Sequence, residues 1–404
     1  MGAGEAAGGA RALDGLRIVD LTTVVAGPTC TQILGDHGAE VIKVEAPHGD
    51  DSRDIGPPVY GDLTAHYAGL NRNKRALALD LSREEGRAVL LRLLADADVL
   101  TENFKPGTLE GWGIGYDEVL GPSFPRLIHA HITGFGADGP LGGLPGYDVV
   151  AQAFSGIMSF CGEAGGDPLR VGLNIVDTTT GLQMALAVLM ALEERHRTGR
   201  GQTVEVTLFD AALTLMHPFA ANYLMAGAVP TRIGNRHPNG APFDLFPVRD
   251  GHVIMCVINN RQFRKMCDLL GRPELGADPR FLTNADRVAH VDALGEELGA
   301  ALKDRDKLEL CLDMLRNGVM YGPVLDLSES LEHPQVAARE MVYDSGDGLR
   351  VVGTPIKFGR TPGRLSRLPP RFGEHNRELL REAGFAESEI DALIEGRVVV
   401  EERA

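Results

Sequence analysis

Short apolar runs recur through the first half of the chain at the spacing of strands separated by helices, and this alternation restricts the fold more than any other feature. Leu16 to Leu21, Val41 to Val44, Ala76 to Leu79, Asp98 to Leu100 and Leu127 to Ile132 read as strands, and Thr203 to Leu208 as a sixth. Helices are expected between them. Pro28 opens one that reaches about His37 and is closed by Gly38, and Ser82 with Glu85 forms a capping-box pattern for another reaching about Ala95. Strands that alternate with helices pair in parallel, because a parallel return needs a long crossover.

The texture changes beyond Met225. A Pro/Gly/Asn-rich segment, Gly234 to Pro242, precedes a hairpin pattern in which Leu245 to Val248 and His252 to Val257 flank Arg249 to Gly251. Helical patterns follow from Asn260 and from Asp286 to about Arg316, then a second hairpin at Met341 to Tyr343 and Leu349 to Val352. A Pro-rich stretch from Thr361 to Phe372 leads into two short helices ending near Glu395. The expected class is α/β. Residues 1–12 read as a flexible tail, 13–224 as a large Rossmann-like domain with a parallel sheet, 225–325 as a smaller α+β domain, and 326–404 as a C-terminal segment returning to the large domain.

Bulk properties exclude several classes. A chain of 404 residues, 44% of them hydrophobic, has apolar surface for more than one core. Its formal charge of −16 argues against nucleic-acid binding, which needs clustered Lys and Arg. The start, Met1 to Ala10, lacks the basic and apolar regions of a signal peptide, and no run was judged long and apolar enough to span a bilayer. Cys30, Cys161, Cys256, Cys267 and Cys311 are scattered without a CxxC pair, as in reduced thiols, so a cytoplasmic enzyme without membrane association is expected. His129 and His131 share a strand face without a carboxylate or cysteine at ligand spacing in the sequence, so no metal site is expected.

One isolated acid stands out. Asp177 lies at the mouth of a helix whose apolar run extends from Leu182 to Leu192. Helix capping accounts for such an acid, and so does nucleophilic catalysis: at an unperturbed pKa of about 3.9 the carboxylate is ionised at pH 7 and needs no base to attack an acyl carbon. The first strand-to-helix turn, Asp20 to Pro28, keeps only Gly27 of a GxGxxG fingerprint, which speaks against a nicotinamide-dependent oxidoreductase. Two segments suit a phosphorylated, adenine-bearing ligand: Asn71 to Arg75, also readable as a solvated charge run, and Glu102 to Gly107, where Phe104 offers a stacking surface.

These segments together resemble the class III CoA-transferases, a group that includes carnitine CoA-transferases, formyl-CoA transferases and α-methylacyl-CoA racemases. The resemblance rests on Val24 to Cys30, Gly38 to Glu45, Asn71 to Arg75, Glu102 to Phe104, Gly134 to Gly136, Gly146 to Asp148, Asp177, Arg195 to Gln202 and Gly234 to Pro238, and runs from about Leu13 to Val399. It implies that Asp177 carries the acyl group as an anhydride and then CoA as a thioester. It also implies CoA contacts at Val24, Val25 and Ala26 beside the thioester, at Asn73, Lys74 and Arg75 near the phosphates, and at Asn103, Phe104 and Lys105. Coenzyme A or acyl-CoA would be a substrate, with no permanently bound cofactor. The partners it implies are a small carboxylic acid and a second copy of the chain in an interlocked homodimer.

The racemase branch resembles the same scaffold with a histidine where this chain has Tyr147. A phenol of pKa about 10 and an ordinary aspartate are poorly matched to removing an α-proton near neutral pH, which favours acyl transfer. Tyr147, Asp148, Gly136 and His237 are candidates for the acid pocket; Tyr147 and Asp148 read equally well as caps of a helix running to Phe160. Backbone NH groups around Val25, Ala26 or Gly136 are candidate oxyanion donors. Val25 and the segment from His237 to Pro242 differ from the glutamine and glycine-rich flap of formyl-CoA transferases, which disfavours a formate/oxalate enzyme. A racemase or epimerase and a non-catalytic CoA-binding protein remain the alternatives.

Overall fold

The computed structural model describes residues 9–403, so residues 1–8 of the expected tail lie outside the described residues. Six strands form one parallel sheet: β1 (Arg17–Asp20), β2 (Glu40–Glu45), β3 (Lys74–Ala78), β4 (Val99–Glu102), β5 (Ile128–Thr133) and β6 (Thr203–Thr207). Their spatial order is β3-β2-β1-β4-β5-β6, the doubly wound arrangement whose order reverses between β1 and β4. All six coincide with the strands expected from the apolar runs. Their cores are continuous in Val, Ile, Leu and Ala because helices cover both faces of such a sheet.

The helices that matter for the site are α1 (Ala26–Asp36), α2 (Glu84–Leu94), α3 (Asp148–Ser155), α4 (Ile175–Thr198) and α5 (Leu208–Leu215). Helix α2 begins one residue later than expected, with Arg83 and not Ser82 at its N-cap. The Ser82 hydroxyl donates to Asp80 Oδ1 at 2.6 Å, so the expected capping box does not form. The helix expected to run to Phe160 breaks at Gly156, which adopts φ 94°. Helix α4 is long and apolar enough by length and composition to cross a membrane, with a mean hydropathy of 1.5, contrary to the sequence reading. Its buried residues recur every three or four positions, from Val176 through Thr180, Met184 and Val188 to Leu192, the stripe of a helix packed on a soluble core.

The chain divides into two compact units. One comprises 1–157, 171–225 and 337–404; the other comprises 158–170 and 226–336, where the sequence set bounds of 225 and 325. In the first, the C-terminal helices α9 (Asn376–Glu382) and α10 (Glu387–Glu395) cover the edge strand β3. Ala78 N donates to Asn376 Oδ1 at 2.9 Å, and Val400 N to Ala78 O at 3.1 Å, so the exposed edge is closed. Residues 11–12 of the expected tail are anchored: Arg11 bonds Asp14 and Ser366.

The second unit contains the antiparallel sheet of β7 (Phe243–Val248), β8 (Gly251–Cys256) and β9 (Tyr321–Pro323) under α6 (Asn260–Leu269), α7 (Val291–Leu302) and α8 (Lys307–Arg316). Its core includes Phe263, Leu298 and Met314. The fully buried Arg287 spends its donors on the carbonyls of Ala241, Ile258 and Phe281 and on Asn260 Oδ1.

Candidate active site

The carboxyl ends of β1, β4 and β5 open at the point where the strand order reverses, the place where doubly wound sheets hold ligands. A cavity of about 310 Å³ lies there. The loop after β1 contributes Val24, Val25 and Ala26, the loop after β4 contributes Asn103, Phe104 and Lys105, and Tyr147 and Asp177 complete the wall. The structure thus brings together eight of the residues singled out in the sequence.

Asp177 is not a cap. Helix α4 starts at Ile175 with Asn174 as its N-cap, so Asp177 stands third in the first turn. Its side chain is 8% exposed and accepts no hydrogen bond from any described residue. The cap is supplied by Asp148, whose Oδ2 accepts from Val176 N at 2.8 Å and from Asp177 N at 3.1 Å. Asp148 takes neither role read for it in the sequence: it caps α4 and not its own helix, with Oδ1 held by Gln152 Nε2 at 2.5 Å, and does not line the cavity.

This arrangement corrects the assumption of an unperturbed nucleophile. Burial, and then the neighbouring Asp148 charge, push the Asp177 carboxyl up to about 7. Such a group is about half ionised at neutral pH, and an ionised oxygen with few hydrogen bonds is more reactive than a solvated one. It also removes half of the argument against proton abstraction, since a carboxylate tuned to neutrality is a competent base.

Helix α1 presents an uncapped N-terminus to the same cavity. Val25 holds the N-cap position without a side-chain cap, and the NH groups of Val25 and Ala26 have no acceptor among the described residues. Two glycines allow this approach. A Cβ on Gly181 of α4 would lie 2.5 Å from Ala26 O, and one on Gly27 would lie 2.2 Å from Thr22 Cβ. The Gly136 NH is not available, because it donates to Thr133 Oγ1 at 2.9 Å, so Gly136 drops out as an oxyanion donor.

Three further expectations change. Asn73, Lys74 and Arg75 do not line this cavity. Lys74 is fully buried and donates to Asp20 Oδ2 at 3.1 Å and to Asn71 Oδ1 at 2.9 Å; Asn73 bonds Asp36 and the backbone of Arg364, Ser366 and Arg367. Arg75 is shared among Glu40, Glu378 and Glu382, tying the sheet to α9. These cations hold the fold, and their donors are spent. His237 belongs to the second unit, where it stacks on Phe243 with ring centroids 5.0 Å apart. His129 and His131 do have a carboxylate: Glu102 on the adjacent strand lies 3.0 and 3.5 Å from their Nε2 atoms, a neighbour set by sheet register and invisible in sequence spacing.

Comparison with known proteins bears on this geometry. The profile of the family described as CoA-transferase family III matches residues 13–376. An acetyl-CoA:oxalate CoA-transferase of Acetobacter aceti is 43% identical over 85% of this chain and 88% of its own length. A succinate–glutarate CoA-transferase of Agrobacterium fabrum is 39% identical over 92% and 95%. Among solved structures, a CAIB/BAIF family protein from Brucella suis superimposes with a TM-score of 0.86 at 40% identity, covering 92% of this chain and 99% of that one.

Proposed function

This chain belongs to CoA-transferase family III, and we propose that it moves CoA between an acyl-CoA and a dicarboxylic acid through covalent bonds to Asp177. The observation that carries the reading is the Asp177 carboxyl: it has no hydrogen-bond partner among the described residues and lies in the switch-point cavity beside the open N-terminus of α1. Ionised Asp177 attacks the donor thioester carbon, the C–S bond breaks, and CoA thiolate leaves an aspartyl anhydride. The thiolate then attacks the Asp177 carbonyl, releasing the donor acid and leaving CoA bound as a thioester. The acceptor carboxylate reverses the sequence, and the second thiolate attack delivers the new acyl-CoA and restores Asp177.

Each step exchanges bonds of similar energy, so the chain supplies position, exclusion of water and a place for the oxyanion. The unoccupied NH groups of Val25 and Ala26 suit that last task. Phe104, packed edge-on against Trp112, and exposed Lys105 suit the CoA arm. Oxalate and glutarate, named in two relatives, are both dicarboxylates, which supports that acceptor class and argues against using Val25 and His237 to exclude an oxalate enzyme. A homodimer is part of the proposal, supported by exposed apolar side chains on α4 and on the helix Phe219–Ala226: Leu186, Met190, Leu224 and Met225.

The test offers acetyl-CoA and succinyl-CoA with a panel of mono- and dicarboxylic acids and follows new CoA esters by mass spectrometry. Dicarboxylates are expected to react, and Asp177→Ala is expected to abolish exchange while binding CoA. An active alanine variant overturns the covalent route. Solvent deuterium entering the α-carbon of a 2-methylacyl-CoA with no acceptor acid present supports an epimerase instead, the reading that the raised carboxyl of Asp177 favours.

A further inference from the structure

In the loop between β1 and α1, side chains hold the backbone polar groups from Thr22 N to Val24 N. Thr22 N donates to Asp20 Oδ1 at 3.0 Å, and Thr22 O accepts from Lys43 Nζ at 2.8 Å. Asn103 clamps the next residue from both sides, accepting from Thr23 N and donating to Thr23 O, each at 3.0 Å. Val24 N donates to Asp50 Oδ1 at 3.1 Å. Then the pattern stops: the NH groups of Val25 and Ala26, both on the cavity wall, have no acceptor among the described residues.

Val24 adopts φ 69°, a left-handed conformation costly for a β-branched residue. Such strain persists only where the surroundings over-determine it, and Asp50 is the group that fixes it. Asp50 is fully buried, pairs with the equally buried Lys43 at 2.7 Å, and accepts from Ser52 N and Ser52 Oγ as well as from Val24. Its carboxylate therefore has one rigid position, and Lys43 adds a second hold on the same loop through Thr22 O.

We propose that Asp50, braced by Lys43, is a positioning residue for acyl transfer: it holds Val24 in its left-handed conformation so that the Val25 and Ala26 NH groups meet the reacting carbonyl. The inference rests on the reading of Asp177 as the acyl acceptor, and the two residues it singles out, Asp50 and Lys43, do not line the cavity. Placement of an oxyanion donor acts on the transition state, so its loss appears in kcat with KM for acyl-CoA little changed.

The test compares Asp50→Ala, Asp50→Asn and the double variant of Asp50→Ala with Val24→Gly against the unaltered full-length protein, using succinyl-CoA and glutarate as probes and amide hydrogen exchange across residues 21–27. Asp50→Ala is expected to lower kcat at least tenfold with KM within about twofold, and to speed exchange of the Val24 amide at least tenfold. Asp50→Asn retains an acceptor for Val24 N and is expected to recover part of that kcat. Glycine adopts a positive φ without strain, so adding Val24→Gly to Asp50→Ala is expected to recover part of the kcat that Asp50→Ala alone loses. A double variant no faster than Asp50→Ala overturns the proposal, as does a Val24 amide that exchanges equally fast in the unaltered protein and a folded Asp50→Ala; should the Asp50 variants fail to fold, a Val24 amide that exchanges as fast as an unprotected peptide in the unaltered protein overturns it as well. An unaltered protein that turns over neither probe counts against the transferase reading, while the exchange data still decide whether Asp50 fixes the loop.

Discussion

Replacing Asp177 by asparagine tests the electrostatics of the site without any substrate. The carboxyl moves from 3.8 when exposed in the unfolded chain to about 7 in the folded one, first through burial and then through the Asp148 charge. At about 1.4 kcal/mol per pH unit this amounts to about 4 kcal/mol, an upper bound. The sign follows from which state holds the proton. Below about pH 4 both states are protonated and the variant gains nothing from this source. Between pH 4 and 7 the unfolded chain ionises while the folded one keeps its proton, so the native protein progressively loses stability. Above pH 7 the loss is complete. Denaturant melts of the Asp177→Asn variant and the unaltered protein are therefore expected to agree near pH 4 and to diverge towards pH 8, with the variant more stable by up to about 4 kcal/mol. A stability difference that stays constant from pH 4 to 8 would refute the reasoning, because it would mean that Asp177 ionises as it does in water.

The same carboxyl sets the pH dependence of catalysis: kcat/KM is expected to rise about tenfold per pH unit below 7 and to level off above it, and a Asp148→Asn change moves the midpoint lower. A profile already flat at pH 5 contradicts this. Gly181→Ala drives a methyl group to 2.5 Å from Ala26 O and is expected to cost about 1–3 kcal/mol in thermal unfolding, together with much of the exchange activity. Arg75→Ala is expected to lower the melting temperature while leaving KM for acyl-CoA unchanged, and Lys105→Ala to do the reverse; the opposite pattern would return Arg75 to the ligand.

The sheet was legible because each of its strands is a bounded apolar run, and α4 because an acid precedes a long apolar segment. Spacing alone does not reveal the order β3-β2-β1-β4-β5-β6, yet that order makes the Val24 and Asn103 loops neighbours. Asn73 to Arg75 was misread for a definite reason: a basic run that grips phosphates and one that closes a strand edge with Asp20, Glu40 and Glu378 have the same sequence, and only the position of the acids distinguishes them. Asn103 lines the cavity, but its amide is spent on Thr23, a contact that no sequence spacing announces. Asp50 and Lys43 carried no signal of this role, because the fold alone brings them against each other and against Thr22 O and Val24 N. The ionisation of Asp177 was equally hidden, since it depends on burial and on an acid 29 residues away in sequence.

Oxygen transfer tests the covalent route most directly. An acceptor acid labelled with ¹⁸O in its carboxylate gives one of its oxygens to Asp177 when CoA departs with the new acyl group. After a single turnover the peptide containing Asp177 is expected to gain one heavy oxygen, about 2 Da, and after many turnovers two, about 4 Da, with no other peptide labelled. New acyl-CoA formed by a protein whose Asp177 peptide keeps its original mass would contradict the account.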